Sequence, residues 1–174
     1  MKYLFLDIDG VLNHEDWYNS QHNNPDAKPF PYSCFDPACV ERVNEILEVT
    51  GAQLVISSSW RLDKELWLTL NSVGLKYKFD CTPSWKDKEW SNFDCRGQEI
   101  QAYLKSHNYN PDTDGFAILD DDTDMLPEQE EHFFQTACDY WTRNMPLIEK
   151  NGGTGLTDNV KNAVEAYLLH GKLD

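Results

Sequence analysis

The apolar positions of the chain fall into short continuous runs separated by stretches with a helical repeat. The first run, residues 2–6 with Ile8, Val11 and Leu12, breaks into Asp7, Asp9 and Gly10. Its length and unbroken apolar character predict a strand buried on both faces. Residues 14–33 are polar, rich in Asn and Pro and without a period, which predicts a loop. Asp36 and Pro37 then make a cap and first helical residue. Val40, Val43, Ile46 and Leu47 recur at helical spacing as far as Thr50 and Gly51. Residues 53–56 are a short apolar strand running into Ser57, Ser58, Ser59, Trp60 and Arg61.

Asp63 is placed to cap a second helix carrying Leu66, Trp67, Leu70 and Val73 and closing at Gly74. Residues 77–81 suggest a further strand, and residues 82–95 are again irregular. Arg96 opens a helix through Ile100, Tyr103 and Leu104, and residues 116–119 form an apolar strand ending in Asp120, Asp121, Asp122, Thr123 and Asp124. Residues 132–136 and 147–149 are weaker strand candidates. Gly152, Gly153 and Gly155 read as a turn, since they lack the spacing and following Lys of a phosphate-binding loop. Thr157 then caps a last helix with Val160, Val164 and Leu168 on its core face. Strands alternating with helices point to an α/β fold: an open, mainly parallel sheet with helices on both faces.

At 174 residues the chain is long enough for one well-buried core and short for two, so a single domain over 1–174 is expected. There is no apolar stretch of membrane-span length and no signal-peptide pattern ahead of the first strand, so a soluble, cytoplasmic protein is expected. The five cysteines, Cys34, Cys39, Cys81, Cys95 and Cys138, are odd in number and contain no Cys-x-x-Cys, which fits reduced structural thiols better than a disulfide framework or zinc site. Thirty acids against fifteen bases, a formal charge of −15, leave little material for the basic stripe of an extended nucleic-acid surface. A short end or a single nucleotide needs only a few local cations.

The chemistry concentrates at the strand ends. Ionised carboxylates are costly to bury without a compensating partner, so Asp7 and Asp9 at the end of an apolar run ask for a cation. Two residues apart, they share a face if the strand continues. Gly10 lets the backbone turn sharply and approach a ligand. A simple strand-ending turn is the bland alternative. A calcium loop fails on spacing: with Asp7 as first ligand, Val11, Leu12 and Tyr18 stand where Asp or Asn, Gly and Glu belong. Taken with Ser57 or Ser58 and with Asp120 and Asp121, these residues line one edge of the sheet, where open parallel sheets bind ligands.

Leu-Asp-Ile-Asp-Gly-Val-Leu-Asn, Ser-Ser-Ser-Trp-Arg, Arg-x-x-Glu-Ile and Leu-Asp-Asp-Asp, in that order within residues 3–124, resemble the motifs of the haloacid dehalogenase (HAD) superfamily of phosphatases. More narrowly they are similar to the HAD domains of bacterial and phage RNA-repair proteins. The resemblance implies Asp7 as the nucleophile that forms an aspartyl-phosphate, and Asp9 as the acid that protonates the leaving oxygen and then the base that activates water. It implies Ser57, or Ser58 if the strand is one residue longer, as a donor to phosphate, with Gly10 nearby. Arg96, opening the helix before the last motif, is the implied phosphate-facing cation, although the family usually has Lys there, and Lys86 and Lys88 are rivals. Arg61 is either a substrate contact or a surface ion pair.

Clustered carboxylates repel unless a cation holds them, and magnesium suits an all-oxygen site that keeps waters. The implied Mg2+ ligands are Asp7, the backbone carbonyl of Asp9, and Asp121, with Asp120 alongside. Asp124 is either a distant support or, like Asp122, a loop acid or helix cap. The short intervals between motifs imply a capless or minimally capped enzyme, open to a terminal phosphate on something larger. His14, Trp17, Tyr18 and His22 are candidates for a substrate entrance, and Trp17, Trp85, Trp90 and Phe93 for stacking on a base. The expected function is a magnesium-dependent phosphomonoesterase acting on a nucleotide or nucleic-acid end. The alternatives are a phosphatase for a small metabolite or phosphoprotein, or a metal-binding module without turnover; dehalogenation fits the metal ligands poorly.

Overall fold

The computed structural model describes residues 1–22, 24–84, 95–139 and 145–171. Strand β1, Lys2–Leu6, lies at the centre of a five-stranded sheet. Around it stand β2 (Gln53–Ile56), β3 (Phe79–Cys81), β4 (Gly115–Asp120) and β5 (Phe133–Gln135), in the order β3-β2-β1-β4-β5 with every pairing parallel. Sequence order runs outward to one side of β1 and then resumes on the other, so the reversal between β1 and β4 is the crevice where such sheets take ligands. Leu6 pairs with both Ile56 and Leu119, which brings three strand ends level. The amides of the next residues continue the ladder: Asp7 donates to the Leu119 carbonyl and Ser57 to the Leu6 carbonyl, each at 2.9 Å.

Side-chain alternation sorts the core into two layers. Leu4, Leu6, Leu54, Ile56, Ala117 and Leu119 pack with α2 (Pro37–Thr50), α3 (Leu66–Ser72) and α6 (Asp158–His170). Tyr3, Phe5, Val55, Phe116 and Ile118 pack with Ile100, Tyr103 and Leu104 of α4 (Arg96–Ser106). The α/β architecture with helices on both faces is as the sequence pattern implies. Local chemistry sets the helix ends: Asp36 accepts from the Ala38 amide at 2.8 Å ahead of Pro37, and Gly51 closes α2 at φ +66°, where a side chain would be strained. Thr157 caps α6 through the Val160 amide.

Three expectations are corrected. Residues 14–33 are not loop throughout: they include α1, Glu15–His22, which buries no side chain and so leaves no apolar period to read. It is held instead by the acids of its first turn, Glu15 and Asp16, and by tertiary bonds, Trp17 Nε1 to the Ser33 carbonyl and the Glu15 amide to the Cys138 carbonyl. Residues 147–149 belong to helix α5, Met145–Asn151, because a run this short carries no period that separates strand from helix. Asp63 does not cap α3; it accepts from the Glu65 amide in a turn before the helix starts. Among the described residues no helix is long and apolar enough to cross a membrane.

Candidate active site

Asp7 and Ser57 follow β1 and β2, Asp120 is the last residue of β4, and all three stand next to the level residues Leu6, Ile56 and Leu119, buried at 5%, 0% and 1% exposure. Asp121 completes the cluster: one carboxylate oxygen from each of Asp7, Asp120 and Asp121 lies within 4.8 Å of the others. Burial pushes the Asp7 carboxyl above its ordinary range, against the opposing pull of the Ser58 hydroxyl and the Arg96 guanidinium. Asp120 is pushed up to about 8 by burial and then by the charge of Asp7, and Asp121 to about 6 by burial and by Asp122 and Asp7. Asp120 Oδ1 accepts from the Asp122 amide at 3.0 Å, while its buried Oδ2 has no hydrogen-bond partner.

Gly10, at φ +70°, lies against Asp121, and a Cβ there would stand 2.3 Å from the Asp121 Cγ. The close approach that the glycine permits is to this carboxylate, and the Thr136 hydroxyl fixes the turn by donating to the Gly10 carbonyl at 2.9 Å. Arg96, the first residue of α4, places its guanidinium 3.8 Å from Asp7 and 3.6 Å from Asp120. The two serines have separate surroundings. Ser58 bonds Asp7 and accepts from the Trp60 amide at 3.4 Å, whereas the buried Ser57 hydroxyl has no partner.

The family model for the HAD domain in Swiss Army Knife RNA repair proteins matches residues 3–159. The chain belongs to this family. No curated protein and no solved structure matches it. Membership makes the protein a HAD-type hydrolase, in general terms a phosphatase, of a family whose enzymes typically use a divalent metal. The donor set of this HAD domain fits such an ion. Three convergent carboxylates, one with a buried oxygen that accepts no hydrogen bond, are made weaker acids by burial and by one another's charge, which a cation would relieve.

Asp9 departs from the strand-face expectation. Strand β1 ends at Leu6, and the chain turns with the Leu12 amide bonding back to the Ile8 carbonyl at 2.9 Å. Ile8, Val11 and Leu12 take the buried places, and Asp9 is left exposed. Its side chain is not part of the three-carboxylate group; it accepts from Trp60 Nε1 and from Asn13 Nδ2.

Arg61 is neither a surface pair nor a free cation. Its side chain is buried, donating to Glu99 at 2.6 Å and to the Ser58 carbonyl, and the other oxygen of Glu99 lies 3.2 Å from Arg96. Arg61 thus fixes Glu99, and Glu99 holds Arg96 over Asp7 and Asp120. Asp124 takes the helix-cap alternative, accepting from the Arg96 amide at 2.8 Å. The His14 ring is nearly buried between Asp36, at 3.0 Å, and the Thr154 hydroxyl, at 2.8 Å. Lys86, Lys88, Trp85, Trp90 and Phe93 lie outside the described residues.

The sequence reading did not place Glu99, Asn13 and Trp60 in the site. The Arg-x-x-Glu spacing signals the first, because residues three apart on a helix are neighbours. Side-chain exposures of 4% for Arg61 and 6% for Glu99 make their pair a buried one. Removing one partner of such a pair leaves an uncompensated charge and costs about 3–5 kcal/mol. Glu99→Ala is therefore expected to lower the urea midpoint by that equivalent and to slow turnover by releasing Arg96. A loss below about 1 kcal/mol, the size of an exposed pair, would contradict this arrangement.

Proposed function

We propose that the protein is a magnesium-dependent phosphomonoesterase that works through an aspartyl-phosphate on Asp7, with a nucleotide or nucleic-acid terminal phosphate as substrate. The observation that carries this reading is the convergence of Asp7, Asp120 and Asp121 beneath Arg96 at the switch point of the sheet. Asp7, Asp121 and the Asp9 backbone carbonyl, with Asp120 alongside, would hold Mg2+. The bound ion supplies positive charge to the crowded carboxylate and phosphoryl oxygens.

In the first step an Asp7 oxygen forms a bond to phosphorus as the bond from phosphorus to the leaving oxygen breaks, and the Asp9 carboxyl gives its proton to that oxygen. In the second step a water oxygen bonds phosphorus as the Asp7 bond breaks, and Asp9 takes a proton from the water. Arg96 faces the charge on the transferring phosphoryl oxygens. The unpartnered Ser57 hydroxyl is the donor best free to join it, while Ser58 orients Asp7.

Family membership supports the nucleic-acid substrate, and the charge of −15 restricts it to an end held by local contacts. Phosphate release should be compared across end-phosphorylated oligonucleotides, mononucleotides, sugar phosphates and a phosphopeptide, each with and without Mg2+. The expected result is magnesium-dependent release, fastest from the first two. Preference for sugar phosphates or the phosphopeptide would overturn the substrate, and no release from any would overturn the activity.

A further inference from the structure

Asp9 lies beyond the end of β1 on an exposed turn, so core packing does not hold its side chain. Two donors hold it instead. The Trp60 indole Nε1 lies 3.0 Å from both carboxylate oxygens, and Asn13 Nδ2 lies 2.7 Å from Oδ1. Asn13 is itself fixed, its side-chain oxygen accepting from the Gly10 amide at 2.9 Å.

Trp60 is held on several sides. The buried Phe35 meets its ring at 5.3 Å with the planes 67° apart. Its backbone belongs to the one-turn helix Ser59–Leu62, which Ser58 caps and which the Asp63 amide closes on the Trp60 carbonyl. The following residue, Arg61, is anchored on Glu99 and the Ser58 carbonyl. The indole edge is therefore tied to the same serine that bonds Asp7 and to the same glutamate that holds Arg96.

We propose that Trp60 is a positioning residue for Asp9, setting the direction in which its carboxyl group meets the leaving oxygen. This rests on the proposed acid and base role of Asp9. An indole N–H only donates, so Trp60 can orient Asp9 but cannot relay its proton. Because its hydrogen bond spans both oxygens, it restrains rotation of the carboxyl group, and with Asn13 also on Oδ1 it leaves a lone pair of Oδ2 open. Proton delivery to a leaving group contributes about 10²- to 10⁴-fold, and a misdirected acid forfeits part of that.

Trp60→Phe keeps a ring against Phe35 and removes the N–H. Its kcat/KM should be measured on glycerol phosphate, whose alkoxide leaves poorly without a proton, and on p-nitrophenyl phosphate, whose phenolate leaves unaided. This ratio reports the steps through transfer to Asp7, so slow hydrolysis of the intermediate does not obscure it. The expected result is a loss of about 10- to 100-fold on glycerol phosphate and less than about 3-fold on p-nitrophenyl phosphate. A structural role would lower both alike.

Asn13→Ala, which removes the other donor, is expected to give the same ester dependence at smaller size, and decides the matter if Trp60→Phe does not fold. Equal losses on the two esters, or none, overturn the positioning role while leaving the phosphatase reading intact. A wild-type protein that released phosphate from neither ester, nor from end-phosphorylated oligonucleotides or mononucleotides, would overturn that reading, and this inference with it.

Discussion

Asp7→Asn is expected to abolish turnover, by about 10⁴- to 10⁶-fold, and yet to unfold no earlier than the wild-type protein. The amide keeps the shape of the side chain and its place against Ser58 and Arg96, but it has no anionic oxygen to form a bond to phosphorus. Stability is preserved because Asp7 is a buried acid whose carboxyl is pushed upward by desolvation and which in turn raises Asp120 and Asp121. Removing that charge relieves a crowd that exists for function. Phosphate release and thermal melts on the same preparations test both halves. Retained turnover would exclude Asp7 as nucleophile, and a collapsed melt would make it a structural residue.

Removing divalent cations is expected to stop turnover and to make the protein's stability depend on pH in a defined direction. An ordinary aspartate titrates near about 3.9, whereas Asp121 is raised to about 6 and Asp120 to about 8 in the fold. Between those limits the folded cation-free chain holds more protons than the unfolded one. The stability these acids contribute is therefore present below about pH 4 and is lost as the pH rises towards 8. Mg2+ replaces the missing protons, so at pH 8 it should raise the melting temperature, by the equivalent of about 2.7 kcal/mol at a hundred times its dissociation constant. Asp120→Asn should reduce both the pH-dependent loss and the response to Mg2+. A wild-type melting temperature indifferent to Mg2+ at pH 8 would contradict a metal site at these acids.

The sheet was legible because β1, β2 and β4 are built on short unbroken apolar runs that stop at Asp7, Ser57 and Asp120. The same breaks located Asp7, Ser57 and Asp120, since level strand ends follow from parallel register. Periodicity failed where burial did not impose it. Helix α1 buries nothing, and α5 spans too few residues to repeat. It also failed for Asp9, since alternation along a strand says nothing once the strand has stopped at Leu6. The partnerships of Trp60 with Asp9 and of Arg61 with Glu99 join residues far apart in sequence, and only the folded chain sets which way those side chains point. Ser57 and Ser58 were interchangeable on paper. Their environments differ because one hydroxyl meets Asp7 and the other meets no partner.

The most direct measurement is to trap the phosphoryl-enzyme. The Asp9→Asn variant, mixed with p-nitrophenyl phosphate and Mg2+ and quenched in acid, should carry one phosphoryl group on the peptide containing Asp7. The leaving phenolate needs no acid, while the missing base slows hydrolysis of the intermediate. The same label should be absent from Asp7→Asn. A burst of p-nitrophenol with no phosphoryl group on Asp7, or with the group on another residue, would contradict the account.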